Sequence, residues 1–140
     1  MSTNADSYFN RLQRGEADFP AITTTLGGQI RGVDLDAGTM ESDYVATQAF
    51  LNPAGQVQGG MLSAMLDDVT AFLVTATLAE GESCATLNLN VSFLRGAVAG
   101  DLKGRAWLVR RGKDVCHVGG ELSQGGKVVA TAVATCMVRR

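Results

Sequence analysis

Between residues 59 and 79 the chain carries one stretch of helical period that holds no lysine, arginine or glutamate, and it restricts the fold more than any other segment. Leu62, Met65, Leu66, Val69, Phe72, Leu73 and Ala76 fall on one stripe at about 100° per residue. The opposite side collects Gly60, Ser63, Ala64, Asp67, Thr70, Ala71, Val74 and Leu78, a small and apolar face. Asp67 and Asp68 are the only charges in the segment. A helix that is dry on two sides is covered by its own core on one and by a second subunit on the other.

After Gly81 the period drops to two. Ala85, Leu87, Leu89, Val91 and Phe93 alternate with Thr86, Asn88, Asn90 and Ser92, which predicts one long, half-buried strand. Further strands are predicted over 101–109, 115–122 and 127–138, and their short glycine-bearing links demand antiparallel pairing. Upstream, Tyr8, Phe9 and Leu12 lie at helical spacing in 7–15, with Asn4 or Asp6 as cap and Pro20 closing the element, so 1–18 reads as an N-terminal helical segment. Residues 30–51 suggest a hairpin with an acidic turn at 41–43. Asp34-x-Asp36-x-Gly38 falls short of a calcium loop, lacking the third acid and the distal glutamate.

A chain of 140 residues is the length of one domain. The element order predicts an α+β fold over 1–140, an antiparallel sheet curved around the single long helix, since nothing else is large enough to cover the sheet's apolar face.

Composition narrows the function classes. A single histidine, His117, excludes a three-histidine zinc site, and three scattered cysteines in apolar surroundings, Cys84, Cys116 and Cys136, read as small buried hydrophobes. No CxxC, GxxxxGK or GxGxxG motif is present, so no metal and no bound cofactor are expected. Residues 1–15 show no leader pattern and no window approaches a membrane span, which leads to the expectation of a cytoplasmic protein without a membrane partner. A formal net charge of −2 argues against nucleic acid. The charges are uneven: eleven acids and three bases precede Arg95, and three acids and nine bases follow from it. A basic last third favours a small polyanion, unless it is a chance distribution over solvated strands.

Burying Asp67 without a partner is costly, and the nearest cations in sequence are Arg31 and Arg95. Either Asp67 bonds a loop amide or a tertiary arginine and orients the fold, or it is kept for chemistry, with desolvation lifting it toward a general-base range. Asp68, about 100° around the helix, is expected to be solvated or salt-bridged. Gln58-Gly59-Gly60 opens the helix. Its unpaired first-turn amides can polarise a carbonyl, or they are a plain glycine-rich helix start.

Asn52, then Gln58-Gly59-Gly60, then Leu66-Asp67, then the strand from Thr86 to Arg95 resembles the hotdog-fold acyl-CoA thioesterases of the phenylacetate-pathway type. The resemblance spans 51–138 and takes in Gly125-Gly126-Lys127, which looks like the family's last turn. It implies that the Gly59 amide polarises the thioester carbonyl and that Asp67 acts as base on water or as nucleophile. Asn52 would position the water or the carboxylate, and Thr86, from the other subunit, would bind the same water. Gln58 would support the carbonyl or shape the turn, and Gly60 would be a substrate-binding residue. Gln58 stands where the family usually has histidine, so imidazole chemistry at that position is excluded. Arg111 and Lys113 are candidates for coenzyme A phosphates, with Arg95 a further one; the alternative is that all three are solvated. The implied assembly is a homodimer or homotetramer with the site across the dimer interface.

Hydratases of this fold carry an Asp-His pair, whereas His117 sits among strand residues and reads as an ordinary strand histidine. The alternative from another class is a non-catalytic acyl-CoA-binding or ligand-sensing hotdog domain, which would usually lose the helix carboxylate.

Overall fold

The computed structural model describes residues 7–140. In chain order its elements are α1 (Tyr8–Gln13), α2 (Ala21–Thr25), β1 (Gln29–Asp34), β2 (Thr39–Ala46), a 3-10 turn (Gln48–Phe50), α3 (Gly59–Ala76), β3 (Ser83–Phe93), β4 (Gly100–Arg111), β5 (Val115–Gln124) and β6 (Lys127–Arg139). All strand pairs are antiparallel and form one sheet in the order β1-β2-β4-β5-β6-β3. The sheet wraps α3, which touches β2, β3, β4, β5 and β6. This is the architecture that the hotdog resemblance implies.

The helix is held by burial. Met65, Leu66, Val69, Thr70, Leu73 and Val74 are fully buried, as are Tyr44, Leu102, Val118 and Leu122 of the strands around them. Truncating one such aliphatic side chain costs about 2–5 kcal/mol. The closest approach is at Gly120, where a β-carbon would stand 2.9 Å from Thr70 Cγ2. The polar residues of α3 cost little because they turn inward: the hydroxyls of Ser63, Thr70 and Thr75 donate to the carbonyls of Gly59, Leu66 and Ala71. By length and composition α3 qualifies as a membrane span, against the expectation that no window comes near one; in this fold it is the core helix.

The sheet covers more of α3 than the wheel suggests. Thr70 and Val74, assigned to the second side, are buried in the protomer, and so is Leu78 just past the helix end. The strip left partly open is narrower and contains Ser63, Ala64, Asp67 and Ala71, with Gly60 exposed at its start.

Three local expectations are corrected. Ser7 caps α1, its Oγ accepting the Asn10 amide hydrogen at 3.3 Å, while Asn4 and Asp6 lie outside the described residues; Pro20 stands at the N-cap of α2. The first hairpin turns at 34–39 and not at 41–43, because Asp34 Oδ1 accepts from the Ala37 amide and Gly38 takes φ 70°, whereas Glu41, Ser42 and Asp43 are paired strand residues. Along β3 the alternation breaks. The register to β6 shifts between Thr86 and Asn88, so Leu87 is an unpaired bulge residue, 57% exposed. Before the bulge Thr86 pairs with the buried Cys136, and after it Leu89 pairs with the buried Ala134, so Thr86 and Leu89 share the helix side of the sheet.

Candidate active site

The start of α3 is fixed by the loop before it. Asn52 Oδ1 accepts the Ala54 and Gln56 amides at 3.0 and 3.1 Å, the Val57 amide donates to the Ala97 carbonyl, and the Gln58 amide donates to the Phe50 carbonyl. Asn52 therefore spends its side-chain carbonyl on its own loop. Gln58 is the N-cap, without a side-chain capping bond, and its carbonyl accepts from Met61 and Leu62. The amides of Gly59 and Gly60 have no acceptor among the described residues. A β-carbon at Gly59 would meet the Phe93 ring at 3.0 Å, whereas one at Gly60 would meet nothing within 4 Å. Packing thus explains glycine at 59 and not at 60, where the backbone is open to a ligand.

Two turns along the helix, the Thr86 hydroxyl donates to Asp67 Oδ1 at 2.7 Å within the same protomer. This corrects the assignment of Thr86 to the opposite subunit. The bulge at Leu87 is what turns Thr86 toward the helix. Thr86 has one hydroxyl proton and spends it on Asp67, so Cys136 Sγ, 4.0 Å from Thr86 Oγ1, is the donor of that weaker contact. Among the described residues, Asp67 Oδ2 receives no hydrogen bond and no cation pairs with Asp67.

Asp68 is the reverse of the expectation. It is not solvated: Thr23 Oγ1 and the Tyr44 hydroxyl donate to its two oxygens, each at 2.8 Å. Burial pushes its carboxyl above the ordinary range; the two hydroxyls pull it down, and neighbouring Asp67 adds to the rise. The same burial, with the Asp68 charge, raises the Tyr44 phenol. Asp68 therefore joins α2 and β2 to α3, beside a carboxylate with a free oxygen.

Asp67 lines a cavity together with Tyr8, Ile22, Ala64, Ala71, Phe72 and Thr75. Phe72, from the apolar stripe of α3, reaches this cavity, whereas Met65 of the same stripe is fully buried. Tyr8, Ile22, Thr23 and Tyr44 were missed. Tyr44 had a signal, because an inward-facing tyrosine between Met40 and Ala46 needs an acceptor for its hydroxyl.

The basic candidates separate. Arg95 shares a groove with Gly59, Gln56 and Phe93 at the start of α3. Arg111 is committed inward at the other end, its Nε donating to Thr77 Oγ1 at 2.8 Å and its Nη1 to the Gly112 carbonyl. Lys113 is exposed in that turn, and His117 lies on the outer face near Thr135. Among the described residues no three His, Cys, Asp or Glu side chains gather as a metal site.

Residues 47–137 match the family model described as acyl-CoA thioesterase N-terminal domain. Among solved structures, a phenylacetic acid degradation-related protein from Ralstonia eutropha JMP134 is 73% identical, covering 93% of this chain and 98% of its own, at a TM-score of 0.92. A thioesterase family protein from Silicibacter pomeroyi shares the fold at 22% identity, covering 93% of this chain and 97% of its own, with a TM-score of 0.81. So does a thioesterase from Haemophilus influenzae at 19% identity, covering 84% and 82%, with a TM-score of 0.77. No curated protein matches the chain in sequence.

Proposed function

The chain belongs to the acyl-CoA thioesterase family and is a thioester hydrolase, and we propose that Asp67 is its general base, working on a carbonyl held by the Gly59 amide of a partner subunit. The observation that carries this is the asymmetry of Asp67, which lines a cavity: Thr86 fixes one oxygen, and the other has no donor among the described residues. Water held at Oδ2 gives up its proton as its oxygen attacks the carbonyl carbon. The oxyanion is stabilised by the free helix-start amides. Coenzyme A leaves as a thiolate, which suits a thiol of ordinary pKa about 8.5, and takes the proton from Asp67 afterwards.

Distance supports a composite site. Gly59 and Asp67 are eight residues apart on one helix, about 12 Å at 1.5 Å per residue. One carbonyl cannot lie within about 3 Å of the amide and of a water on that carboxylate. A symmetric dimer solves this by setting Asp67 and Thr86 of one protomer against Asn52, Gln58, Gly59 and Gly60 of the other. β3 is an eleven-residue edge strand with Leu87 exposed, the kind of edge that pairs with a second copy. Arg95, beside Gly59, is the cation best placed for a coenzyme A phosphate.

The test follows free-thiol release from a panel of acyl-CoAs, beginning with phenylacetyl-CoA because of the 73% identical neighbour's description. Asp67→Asn should lose about a hundredfold in kcat. A folded Asp67→Asn at wild-type rate rejects the base assignment. Wild type that binds acyl-CoA yet releases no thiol would point to a binding or sensing domain.

A further inference from the structure

We propose, resting on the hydrolase reading above, that Tyr8 is the partition that sets how long an acyl chain this protein accepts. The cavity at the Asp67 carboxylate runs along the open strip of α3 past Ala64 and Ala71, with a volume of about 260 Å³. A second cavity of about 350 Å³ lies past Leu78, Ala79 and Cys84, with Glu82 and Ser83 on its wall as well. Tyr8 and Thr75 belong to the walls of both, so the tyrosine ring stands where the two meet.

The first cavity alone is smaller than the roughly 300–1,000 Å³ of sites that enclose a drug-sized ligand, so it takes the acyl part of the substrate and leaves the nucleotide outside. Its walls are apolar apart from Thr75, the Tyr8 hydroxyl, which donates to the Asp18 carbonyl, and the two carboxylates, and both oxygens of Asp68 are occupied by hydroxyl donors. An uncharged acyl group fits, and one carrying its own carboxylate is repelled.

The partition is held in place. The Tyr8 hydroxyl donates to the Asp18 carbonyl at 2.9 Å, and Phe9 and Leu12 anchor α1 in the core. The wall behind it is tied to α3 by the Thr23 to Asp68 bond and by Phe19 stacked at a tilt on Phe72, with ring centroids 5.9 Å apart. Removing the ring joins the two cavities into one channel along the helix. Each methylene that enters it from water should gain about fourfold in affinity.

The experiment compares wild type, Tyr8→Ala, Tyr8→Leu and Tyr8→Phe by kcat/KM on straight-chain acyl-CoAs of increasing length, and by calorimetric Kd for S-alkyl coenzyme A thioethers, which cannot be hydrolysed. Tyr8→Ala should raise the ratio of long-chain to short-chain kcat/KM by about tenfold or more, and thioether affinity should follow. Tyr8→Leu carries the same test if the alanine variant does not fold. Tyr8→Phe, which keeps the ring, should keep the wild-type length preference. The proposal is overturned if truncation lowers all lengths equally, or if the phenylalanine variant shifts the preference as far as alanine does. Wild type without turnover would reject the hydrolase reading alone, since the thioether series still reads the partition.

Discussion

Gly59→Pro isolates the helix-start amide from everything else that position does. Gly59 is the first residue of α3, and Gln58 before it sits at φ −58°, ψ 135°, the extended region that a residue preceding proline adopts. Proline is favoured at a first helical position, where its missing N–H breaks no intrahelical bond. The added β-carbon presses on the Phe93 ring at 3.0 Å, but that ring is 54% exposed and can yield. Gly59→Ala brings the same β-carbon and keeps the N–H, so it controls for the β-carbon while proline replaces the amide hydrogen with its ring carbons. Both should melt within about 1 kcal/mol of wild type. Loss of an oxyanion donor lowers kcat by about 10²–10³, or 2.7–4 kcal/mol; with the Gly60 amide still in place the lower end is expected. Steady-state thiol release on folded variants reads this directly. Equal kcat for the proline and alanine variants would refute the donor. Co-refolding Gly59→Pro with Asp67→Asn extends the assay: in a randomly mixed symmetric dimer, half the dimers are hybrids with one rebuilt site, returning about a quarter of wild-type activity. No recovery would refute the division between protomers.

Thr86→Val removes the one side-chain donor to Asp67 among the described residues and should lower kcat at least tenfold and stability by about 1–2 kcal/mol, while Thr86→Ser restores both; equal behaviour of the two by kinetics and urea unfolding would show that the hydroxyl does not position the base. Asp68 tests pH linkage: its folded-state carboxyl is raised, so the native state binds more protons than the unfolded one, and the stability this contributes is full at acid pH and lost as pH rises through the raised value. Urea unfolding should therefore find the stability of wild type relative to Asp68→Asn falling as pH rises above the ordinary carboxylate range, and a flat or rising difference would contradict the sign.

Period and punctuation carried much of the architecture. α3 and the last four strands were legible because one segment repeats at 3.6 and the next at 2, and Gln58-Gly59-Gly60 and Asp67 stood out on that frame. The errors share a cause, which is that they depend on a partner strand or a packed neighbour. A bulge is invisible in β3 alone, since Leu87 is displaced only relative to β6. Asp68 was misplaced because the wheel gives its angle to Asp67 but not how far the sheet and α2 reach around the helix. Arg111 looked available in a basic turn until Thr77 came within 2.8 Å from the end of α3.

The bulge and the aspartate pair explain each other. With unbroken alternation from Val91 back through Leu89, Leu87 would point at the helix and Thr86 away from it, since a shift of one residue reverses every side chain. Asp67 would then face an apolar side chain in a half-buried strip with no donor, at the cost that attends an unpaired carboxylate. Inserting Leu87 without a β6 partner delivers the hydroxyl to Oδ1 and leaves Oδ2 open. One step along the helix, Asp68 uses both of its oxygens to hold Thr23 and Tyr44, and with them the segment that walls the cavity at Asp67. Neighbouring carboxylates on one helix turn thus divide the work: the one bonded by two hydroxyls builds the wall, and the one whose strand partner is out of register keeps an oxygen without a donor among the described residues.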